Sequence, residues 1–293
     1  MTHRCGFVAV VGRPNVGKST LVNRLVGQKV TITSRKAQTT RHAVLGIVSR
    51  EDAQFVFVDT PGYQTRHGGA LNRALNRAVT DSLSDVDVIL LVLEGTRFGD
   101  EDRKVLRLVP PQVPVVVALN KIDLIARKED LLPFLAQLQH EREFAAMVPV
   151  SAEKGTQCDS LLDALALCLP EGPALYDVDQ VTDRSERFLA GEILREKIFR
   201  LTGDELPYGT GVVVTSFETE GQLRRIECVV VVARETHKGM VIGQGGQQLK
   251  RIATEARLDM ERQFGGRVYL DVRVRVDADW SHDPRRLRKY GYA

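Results

Sequence analysis

The chain has 293 residues, of which 43% are hydrophobic and 27% charged, and its formal net charge is +3. This composition excludes a disordered chain and is typical of a globular protein with about two domains. No apolar run reaches the roughly 18 residues of a membrane-spanning helix, and the residues before the first strand pattern do not form a secretory signal. The four cysteines form no CxxC pair. We therefore expect a cytoplasmic protein with reduced thiols.

Up to about Leu169, short aliphatic runs alternate with helical patterns. Continuous apolar runs are typical of strands buried on both faces, and the alternation predicts a mostly parallel sheet covered by helices. We expect this α/β domain to span residues 1–170. The predicted strands are Phe7–Val11, Val44–Val48, Phe55–Asp59, Val88–Leu93, Val115–Asn120 and Met147–Val150, and the predicted helices are Ser19–Val26, Leu71–Ser84 and Asp159–Leu169.

A Pro- and Gly-rich break at Pro170–Pro173 ends this rhythm, and we place a linker over residues 171–180. The following residues, 181–293, predict a smaller α+β domain. Its predicted elements are a helix at Glu186–Leu201, a hairpin of Gly211–Phe217 and Ile226–Ala233, a helix from Gln247 to Phe264, and an alternating strand from Val268 to Val276.

The segment Gly12–Ser19 reads GRPNVGKS and matches the phosphate-binding pattern G-x-x-x-x-G-K-[ST] at every fixed position. Its glycines allow backbone N–H groups to converge on phosphate oxygens. Lys18 is expected to reach the β- and γ-phosphates, and the Ser19 hydroxyl is expected to bind Mg²⁺. An ordinary Gly-rich turn is the alternative, which the strand before the loop and the helix after it disfavour. We assign the phosphate site to Gly12, Arg13, Pro14, Asn15, Val16, Gly17, Lys18, Ser19 and Thr20.

The residues Asp59, Thr60, Pro61 and Gly62 end the third predicted strand. A carboxylate at this place can hold Mg²⁺ directly or through water, and the N–H of Gly62 can approach the γ-phosphate. An Asp-Thr-Pro-Gly turn without a ligand is the alternative. Because a phosphate-binding loop precedes this motif in the chain, we favour the metal-binding interpretation of Asp59.

A third motif, NKID, follows the fifth predicted strand. The Asp123 carboxylate can accept hydrogen bonds from the ring N–H and the exocyclic amine of guanine. Adenine would place a lone pair against it, at a cost of at least a few kcal/mol. The Lys121 stem can cover one face of the base. We assign the base site to Asn120, Lys121 and Asp123, together with Ser151, Ala152 and Glu153 at the end of the next strand.

All these motifs end strands, as ligand sites of open α/β sheets do. Their order over Phe7–Leu169 resembles the Ras-like GTPases of the P-loop class. The resemblance implies GTP as substrate and Mg²⁺ as cofactor, with a first switch at Thr31–Arg41 and a second from Gly62 to about Ala70. One first-switch threonine is expected to bind Mg²⁺, and we favour Thr40 over Thr39.

The resemblance also bears on hydrolysis. The glutamine that directly follows the D-x-x-G motif in many GTPases is Tyr63 here, with Gln64 one residue further. We therefore expect slow intrinsic hydrolysis. The asparagine in the phosphate-binding loop, Asn15, is similar to one found in a group of GTPases. In that group, this asparagine helps bind a K⁺ ion, which supplies the positive charge that an arginine finger supplies elsewhere. We assign catalysis to Lys18, Thr40 and Gly62.

Near the end of the chain, Gly243–Gly246 forms a GxxG pattern within VIGQGG. Such a loop can clamp the backbone of single-stranded nucleic acid, and a helix beginning after it favours phosphate. A ligand-free turn is the alternative. We expect an apolar wall of Ile242, Leu249 and Ile252, and an RNA site that contains Lys238, Ile242, Gly243, Gln244, Gly245, Gly246, Leu249, Lys250, Arg251 and, in the basic tail, Arg285, Arg286 and Arg288.

Charge alone does not establish RNA binding, because residues 181–293 contain 20 Lys and Arg against 17 Asp and Glu. The pair between the outer glycines, Gln244 and Gly245, lacks the Lys or Arg that such loops often carry. We therefore expect a shallower salt dependence of RNA binding than in related domains.

The full order of motifs resembles the bacterial Era family, in which a GTPase domain precedes a type II KH domain. It runs from GRPNVGKST, KAQTTRH, DTPG, NKID and SAE to TDRSERFLAGEILREKIF, ELPYGTGVVV, VIGQGG and the segment from Trp280 to Gly291-Tyr292. The resemblance covers essentially the whole chain. It implies a monomeric GTPase switch that binds the 3′ end of 16S ribosomal RNA and assists maturation of the 30S subunit.

Three alternatives stay open at this stage. The first is a GTPase that acts at the inner face of the membrane or in cell-cycle signalling, with RNA binding secondary. The second is a GTPase assisting RNA modification, although residues 171–293 contain no Cys–His cluster. The third is an RNA-binding protein with a decayed GTPase, which the intact Lys18, Ser19 and Asp59 disfavour.

Overall fold

The computed structural model describes residues 2–34, 39–61, 76–77, 80, 83, 85–203, 206, 209–278, 280 and 283–290, without the side chains of 284, 288 and 289. The chain divides into two compact units between Asp183 and Arg184, and the described residues 32–34 and 39 group with the second unit. Most of the predicted helix Leu71–Ser84 and of the second switch lies outside the described residues. Among the described helices, none combines the length and apolar character that crossing a bilayer requires.

The described part of the first unit contains a six-stranded sheet in the order β2-β3-β1-β4-β5-β6. Strand β2 pairs antiparallel with β3, and every other pair is parallel. The prediction of a mostly parallel sheet is confirmed, and its carboxyl-terminal edge is where the sequence motifs meet. The strands are β1 Arg4–Val11, β2 Val44–Ser49, β3 Ala53–Asp59, β4 Val88–Glu94, β5 Val115–Asn120 and β6 Ala146–Pro149.

Helices cover both faces of this sheet. One hydrophobic cluster contains Leu21 and Leu161 with Phe55 of the sheet, and the other contains Val105 and Leu138 with Leu91. All seven residues of β3 and all six of β5 are buried, as expected for strands covered on both sides. The helices are α1 Lys18–Val26, α2 Asp100–Leu108, α3 Leu131–Leu138 and α4 Cys158–Ala166.

The segment after Pro170 runs along the first unit. The fully buried Gln54 side chain accepts hydrogen bonds from the N–H groups of Leu175 (2.8 Å) and Tyr176 (3.0 Å). On the edge strand β2, the N–H of Ile47 donates to the carbonyl of Val181 at 2.9 Å. These bonds attach the segment to the strand edge, which would otherwise present unpaired N–H groups.

The second unit contains a three-stranded sheet in which β7 and β8 are antiparallel and β8 and β9 are parallel. Helices pack on one face, where Leu194 and Met260 meet Val230 of the sheet. The alternating residues from Val268 to Val276 pack against this core, as predicted. The strands are β7 Thr210–Glu220, β8 Leu223–Val232 and β9 Arg267–Val276, and the helices are α5 Glu186–Leu201, α6 Glu235–Ile242, α7 Gln247–Phe264 and α8 Pro284–Lys289.

Candidate nucleotide and RNA sites

The loop between β1 and α1 has the geometry of an anion site. Gly17 caps α1 with φ of 101°, and Gly12 has φ of 153°. A Cβ on Gly12 would overlap the carbonyl of Val92, and one on Gly17 would overlap the Asn120 side chain. Both positions therefore require glycine for space as well as for conformation. The first N–H groups of α1 point out of the helix and form a partial positive charge for a phosphate.

The buried Lys18 side chain folds back over this loop. Its Nζ donates to the carbonyl oxygens of Gly12 (2.9 Å) and Arg13 (3.0 Å). Burial lowers the pKa of Lys18 to about 8, although the Asp59 carboxylate opposes this effect. The ammonium is thus placed at the loop before any ligand binds.

Three side-chain oxygens converge beside Lys18. The Ser19 hydroxyl donates to Asp59 Oδ2 at 2.9 Å and lies 3.0 Å from Thr40 Oγ1, which is itself 3.4 Å from Asp59 Oδ2. Asp59 is fully buried, its Oδ1 has no hydrogen-bond partner within the described residues, and burial raises its pKa. A buried carboxylate with an unused oxygen, beside two hydroxyls, fits a hard cation such as Mg²⁺. Thr40, the favoured one of the two candidate threonines, has its hydroxyl here.

The end of β3 is fixed to the neighbouring strand. The buried Thr60 hydroxyl donates to the carbonyl of Val10 at 2.8 Å, and Pro61 beside it is also buried. The predicted catalytic Gly62, and Tyr63 and Gln64 after it, lie outside the described residues.

The predicted base-site residues come together at the ends of β5 and β6. Asn120 donates through Nδ2 to the carbonyl of Val16 (2.8 Å) and accepts through Oδ1 from the N–H of Ala152 (3.0 Å). Asp123 Oδ1 accepts from the Ser151 hydroxyl at 2.5 Å. One amide side chain therefore ties the phosphate loop to the base loop, and a hydroxyl orients the carboxylate that is expected to meet guanine.

Two residues that sequence analysis missed also hold this region. Arg24 of α1 donates to the carbonyls of Ala152 (3.0 Å) and Glu153 (2.7 Å). Glu94 at the end of β4 accepts from both Arg13 and Lys121. Glu94 carries a recognisable signal, because it is a carboxylate at the carboxyl end of a buried parallel strand. Arg24 has no recognisable signal in the sequence, because its partners are backbone carbonyls far along the chain.

In the second unit, the GxxG loop joins α6 to α7. Gly243, Gly245 and Gly246 have φ of 71°, 59° and 79°, and Gly246 caps α7. A Cβ on Gly243 would lie 2.6 Å from Gln248 Cβ, whereas one on Gly245 or Gly246 would meet nothing within 4 Å. The outer surface of the loop is therefore open to a close approach by a ligand backbone.

The side chains around the loop divide into core and surface. Lys250 and Arg251 are exposed and, with Gln247 and Thr254, line a shallow depression on α7. Ile252 is fully buried in the core, so the expectation that it faces an RNA base is wrong. Ile252 belongs to the core cluster that also contains Leu194 of α5 and Val230 of β8. The other predicted wall residues, Ile242 and Leu249, are partly buried.

Two of the predicted phosphate-binding cations have acidic neighbours. Arg251 Nε lies 3.1 Å from Glu255 Oε1, and Lys238 Nζ lies 3.9 Å from Glu235 Oε2. Arg251 is exposed and Lys238 is partly exposed, so these pairs are weak and can be exchanged for phosphate contacts.

The tail packs on the second unit through buried groups. Trp280 is fully buried and donates from Nε1 to the carbonyl of Gly209 at 3.0 Å. Asp277 accepts from the Tyr290 hydroxyl at 2.7 Å and pairs with Arg286. Burial raises the pKa of Asp277, but these two partners outweigh it and the net pKa is lowered. Arg286 is thus engaged by an acid, Arg285 is exposed, and the Arg288 side chain is not described.

Comparisons with known proteins agree with both halves of this description. A family model described as a 50S ribosome-binding GTPase matches residues 7–121, and one described as a KH domain matches residues 205–281. GTPase Era of Chromobacterium violaceum is 54% identical, over 98% of this chain and 97% of that protein. GTPase Era of Nitrosomonas eutropha is 50% identical, over 99% of this chain and 98% of that protein.

Two solved structures superpose on nearly the whole chain. One is an Aquifex aeolicus Era variant bound to GDP and AlF4⁻, and the other is Era in complex with MgGDPNP and nucleotides 1506–1542 of 16S ribosomal RNA. Each has a TM-score of 0.94 and 38% identity, and each alignment covers 99% of both chains. The fold of both units is therefore that of a P-loop GTPase followed by a KH domain.

Proposed function

Because the chain belongs to the Era family of GTPases, we propose that it is a GTP-gated switch that binds the 3′ end of 16S ribosomal RNA and assists maturation of the 30S subunit. GTP hydrolysis is the activity of the family. The RNA, the 30S subunit, the cytoplasmic location and the monomeric state are our proposals for this chain. The observation that carries the switch is the cluster of Ser19, Thr40 and Asp59 oxygens, since it links a first-switch residue to the metal site.

In the proposed nucleotide complex, Lys18 binds the β- and γ-phosphates and the N–H groups of the Gly12–Gly17 loop surround them. Ser19, Thr40 and Asp59 hold Mg²⁺, which neutralises charge on the phosphates. Asp123 accepts hydrogen bonds from guanine, and Asn120 keeps the phosphate and base loops at a fixed separation. The relative solved with MgGDPNP supports this arrangement.

We propose that intrinsic hydrolysis is slow, because Tyr63 stands where many GTPases have a water-orienting glutamine. Asn15 has a left-handed backbone with φ of 66°, and its carbonyl accepts from Lys121 at 2.8 Å. We further propose that K⁺ bound near Asn15 accelerates turnover. Rates measured in K⁺ and Na⁺ buffers of equal ionic strength test this, and equal rates would contradict it.

The proposed RNA site is the GxxG loop with Lys250 and Arg251. Backbone N–H groups of the loop and the start of α7 bind phosphates, and the two exposed cations extend that contact along the helix. The relative solved with nucleotides 1506–1542 supports the choice of RNA. In this mechanism, GTP and Mg²⁺ order the switches and favour the RNA-bound state, and hydrolysis releases the RNA.

Crosslinking of the full chain to cellular RNA, followed by sequencing, tests the proposal. We expect crosslinks at the 3′ end of 16S ribosomal RNA that are stronger with a non-hydrolysable GTP analogue than with GDP. Crosslinks concentrated on other RNAs would overturn the biological assignment. Equal affinity in the two nucleotide states would overturn the switch and leave both binding sites standing.

A further inference from the structure

Glu94 connects two separate motifs of the nucleotide site. It is the last residue of β4, and its carboxylate accepts from Arg13 Nη2 at 2.5 Å and from Lys121 Nζ at 2.7 Å. Arg13 belongs to the phosphate loop and Lys121 to the base loop, and β4 lies between β1 and β5, the strands from which those loops emerge. One carboxylate therefore lies between two cations that would otherwise repel each other.

Lys121 is held from two sides. Its Nζ also donates to the carbonyl of Asn15 at 2.8 Å, so the extended side chain runs from the base loop across to the phosphate loop. Its backbone is left-handed, with φ of 65°, and it caps the short turn Ile122–Leu124 that contains Asp123. Fixing Lys121 thus constrains the residue just before the turn that carries the guanine-binding carboxylate.

Arg13 is held in a similar way. Its Nε lies 3.4 Å from Oδ1 of Asp102, which is 3% exposed and accepts at Oδ2 from the N–H of Gly99 at the start of α2. Two of the three guanidinium nitrogens therefore face carboxylates. The sequence interpretation placed Arg13 among the nucleotide ligands, and in the structure its side chain pairs with Glu94 and Asp102.

We propose that Glu94 is a positioning residue for guanine-nucleotide binding, holding Lys121 and the phosphate loop in their binding geometry before the nucleotide arrives. This inference rests on the proposed nucleotide site. The carboxylate is charged at neutral pH: burial raises the pKa of Glu94, but hydrogen bonds from Lys121 and Arg13 outweigh it and lower the net pKa. Pre-ordering lowers the entropy lost on binding, so the effect appears in nucleotide affinity rather than in the chemical step.

The competing interpretation is an ordinary ion pair that stabilises the fold slightly and does nothing for the ligand. Another pair in the same unit provides a matched control. Glu141 accepts from Arg103 at 2.7 Å and lies near α2 and α3, and within the described part of the chain it has no hydrogen bond or ion pair with a predicted nucleotide ligand. Glu141→Gln removes the same charge from the same kind of pair.

The experiment compares wild type, Glu94→Gln and Glu141→Gln in the full chain. Fluorescent GDP and a fluorescent GTP analogue give Kd and dissociation rates, and GTP turnover gives kcat and KM. We expect Glu94→Gln to raise both Kd values about tenfold, mostly through faster dissociation, because a charge-assisted hydrogen bond is lost. We expect kcat to stay within about twofold, and Glu141→Gln to match wild type.

A double-mutant cycle with Lys121→Ala separates positioning from general stability. If Glu94 acts through Lys121, Glu94→Gln costs little further affinity in the Lys121→Ala background. Glu94→Asp keeps the charge and is expected to bind nucleotide with an affinity between those of wild type and Glu94→Gln. If the Gln variant does not fold, the affinity of the Asp variant tests whether Glu94 positions the nucleotide site. Unchanged affinity in Glu94→Gln, a full additive loss in the double variant, or an equal loss in Glu141→Gln would overturn the proposal. Failure of wild type to bind GTP would instead overturn the proposed nucleotide site.

Discussion

Two glycine-rich loops in this chain precede helices and are expected to bind phosphate, yet they are built in opposite ways. Gly17 and Gly246 cap α1 and α7 with left-handed φ values of 101° and 79°. The first loop is enclosed by Asn120, Val92 and Lys18, so that a Cβ on its capping glycine overlaps a neighbouring side chain. At Gly245 and Gly246, a Cβ would meet nothing within 4 Å.

The difference corresponds to the kind of ligand each loop is expected to take. An enclosed loop with fixed donors can select one small ligand, because every group is placed before binding. An open loop can admit any nucleotide of a polymer, because it offers backbone N–H groups and space rather than shaped side chains. Selectivity then has to arise from neighbouring residues such as Lys250 and Arg251.

The largest expected effect is at the enclosed loop. Lys18→Ala removes the ammonium placed over the loop carbonyls, so GTP turnover should fall by about 100-fold or more. RNA affinity without nucleotide should stay within about twofold. The control is Lys104→Ala, an exposed lysine of α2. Phosphate release measures the expected loss of turnover, and filter binding measures the expected retention of RNA affinity. Retained turnover would show that the enclosed loop is not the catalytic one.

A second prediction concerns base selection. Asp123→Asn replaces an acceptor by a donor, and the loss of two charge-assisted hydrogen bonds should weaken GTP binding by about 100-fold. Xanthosine triphosphate carries a carbonyl in place of the exocyclic amine, so its affinity should rise. Competition binding with both nucleotides measures the change, with Asp130→Asn as the exposed control. If the nucleotide preference of the variant does not change, Asp123 does not read the base.

For the open loop, an intermediate effect is expected. Gln244→Asp with Gly245→Asp puts two negative charges where phosphates are expected, and RNA affinity should fall by roughly tenfold. Aspartate tolerates the left-handed conformation of residue 245, and nothing lies within 4 Å of a Cβ there. Gly221→Asp is the matched control, because Gly221 is also left-handed, with φ of 61°, and its Cβ would also meet nothing.

We expect the two loops to give different results in the GTP-turnover and RNA-binding assays. The double Asp variant should keep wild-type GTP turnover, and Gly221→Asp should keep both activities. If Gly221→Asp lost RNA affinity to the same extent, added charge anywhere on the second unit would explain the result, and the GxxG loop would no longer be the assigned RNA site.

Much of the fold could be predicted from the sequence because buried strands have continuous aliphatic runs. β5 was predicted with the bounds that the structure has, and the other strands of the first unit to within about three residues. Helices α2 and α3 were missed. Asp100–Leu108 has only three apolar residues, all in its second half, and Leu131–Leu138 is almost wholly apolar and contains a proline.

The candidate site was predictable to the extent that motifs follow strands. The convergence of Ser19 and Asp59 could be expected, because both follow neighbouring parallel strands, and Thr40 was favoured by family resemblance. The pairing of Glu94 with Arg13 and Lys121 could not be predicted from the sequence. Arg13 is 81 residues from Glu94 and Lys121 is 27 residues from it, and only the strand order brings them together. Ile252 shows the converse error, since its helical spacing placed it on an apolar stripe without telling which neighbour that stripe meets.

The smallest expected effect concerns how the open loop shares charge with its helix. Lys250→Ala and Arg251→Ala should each weaken RNA binding only a few-fold, and each should reduce the slope of log affinity against log salt by about one if the residue contacts a phosphate. The Gln244-Gly245 pair adds no charge, so the slope for the variant lacking both cations should be about two units shallower than that of wild type. Arg262→Ala is the control, because Arg262 is 76% exposed at the far end of α7. Filter binding across a salt series measures the slopes. A steep slope that survives loss of both cations would mean that other basic residues hold the RNA, and the open loop would then be an accessory contact.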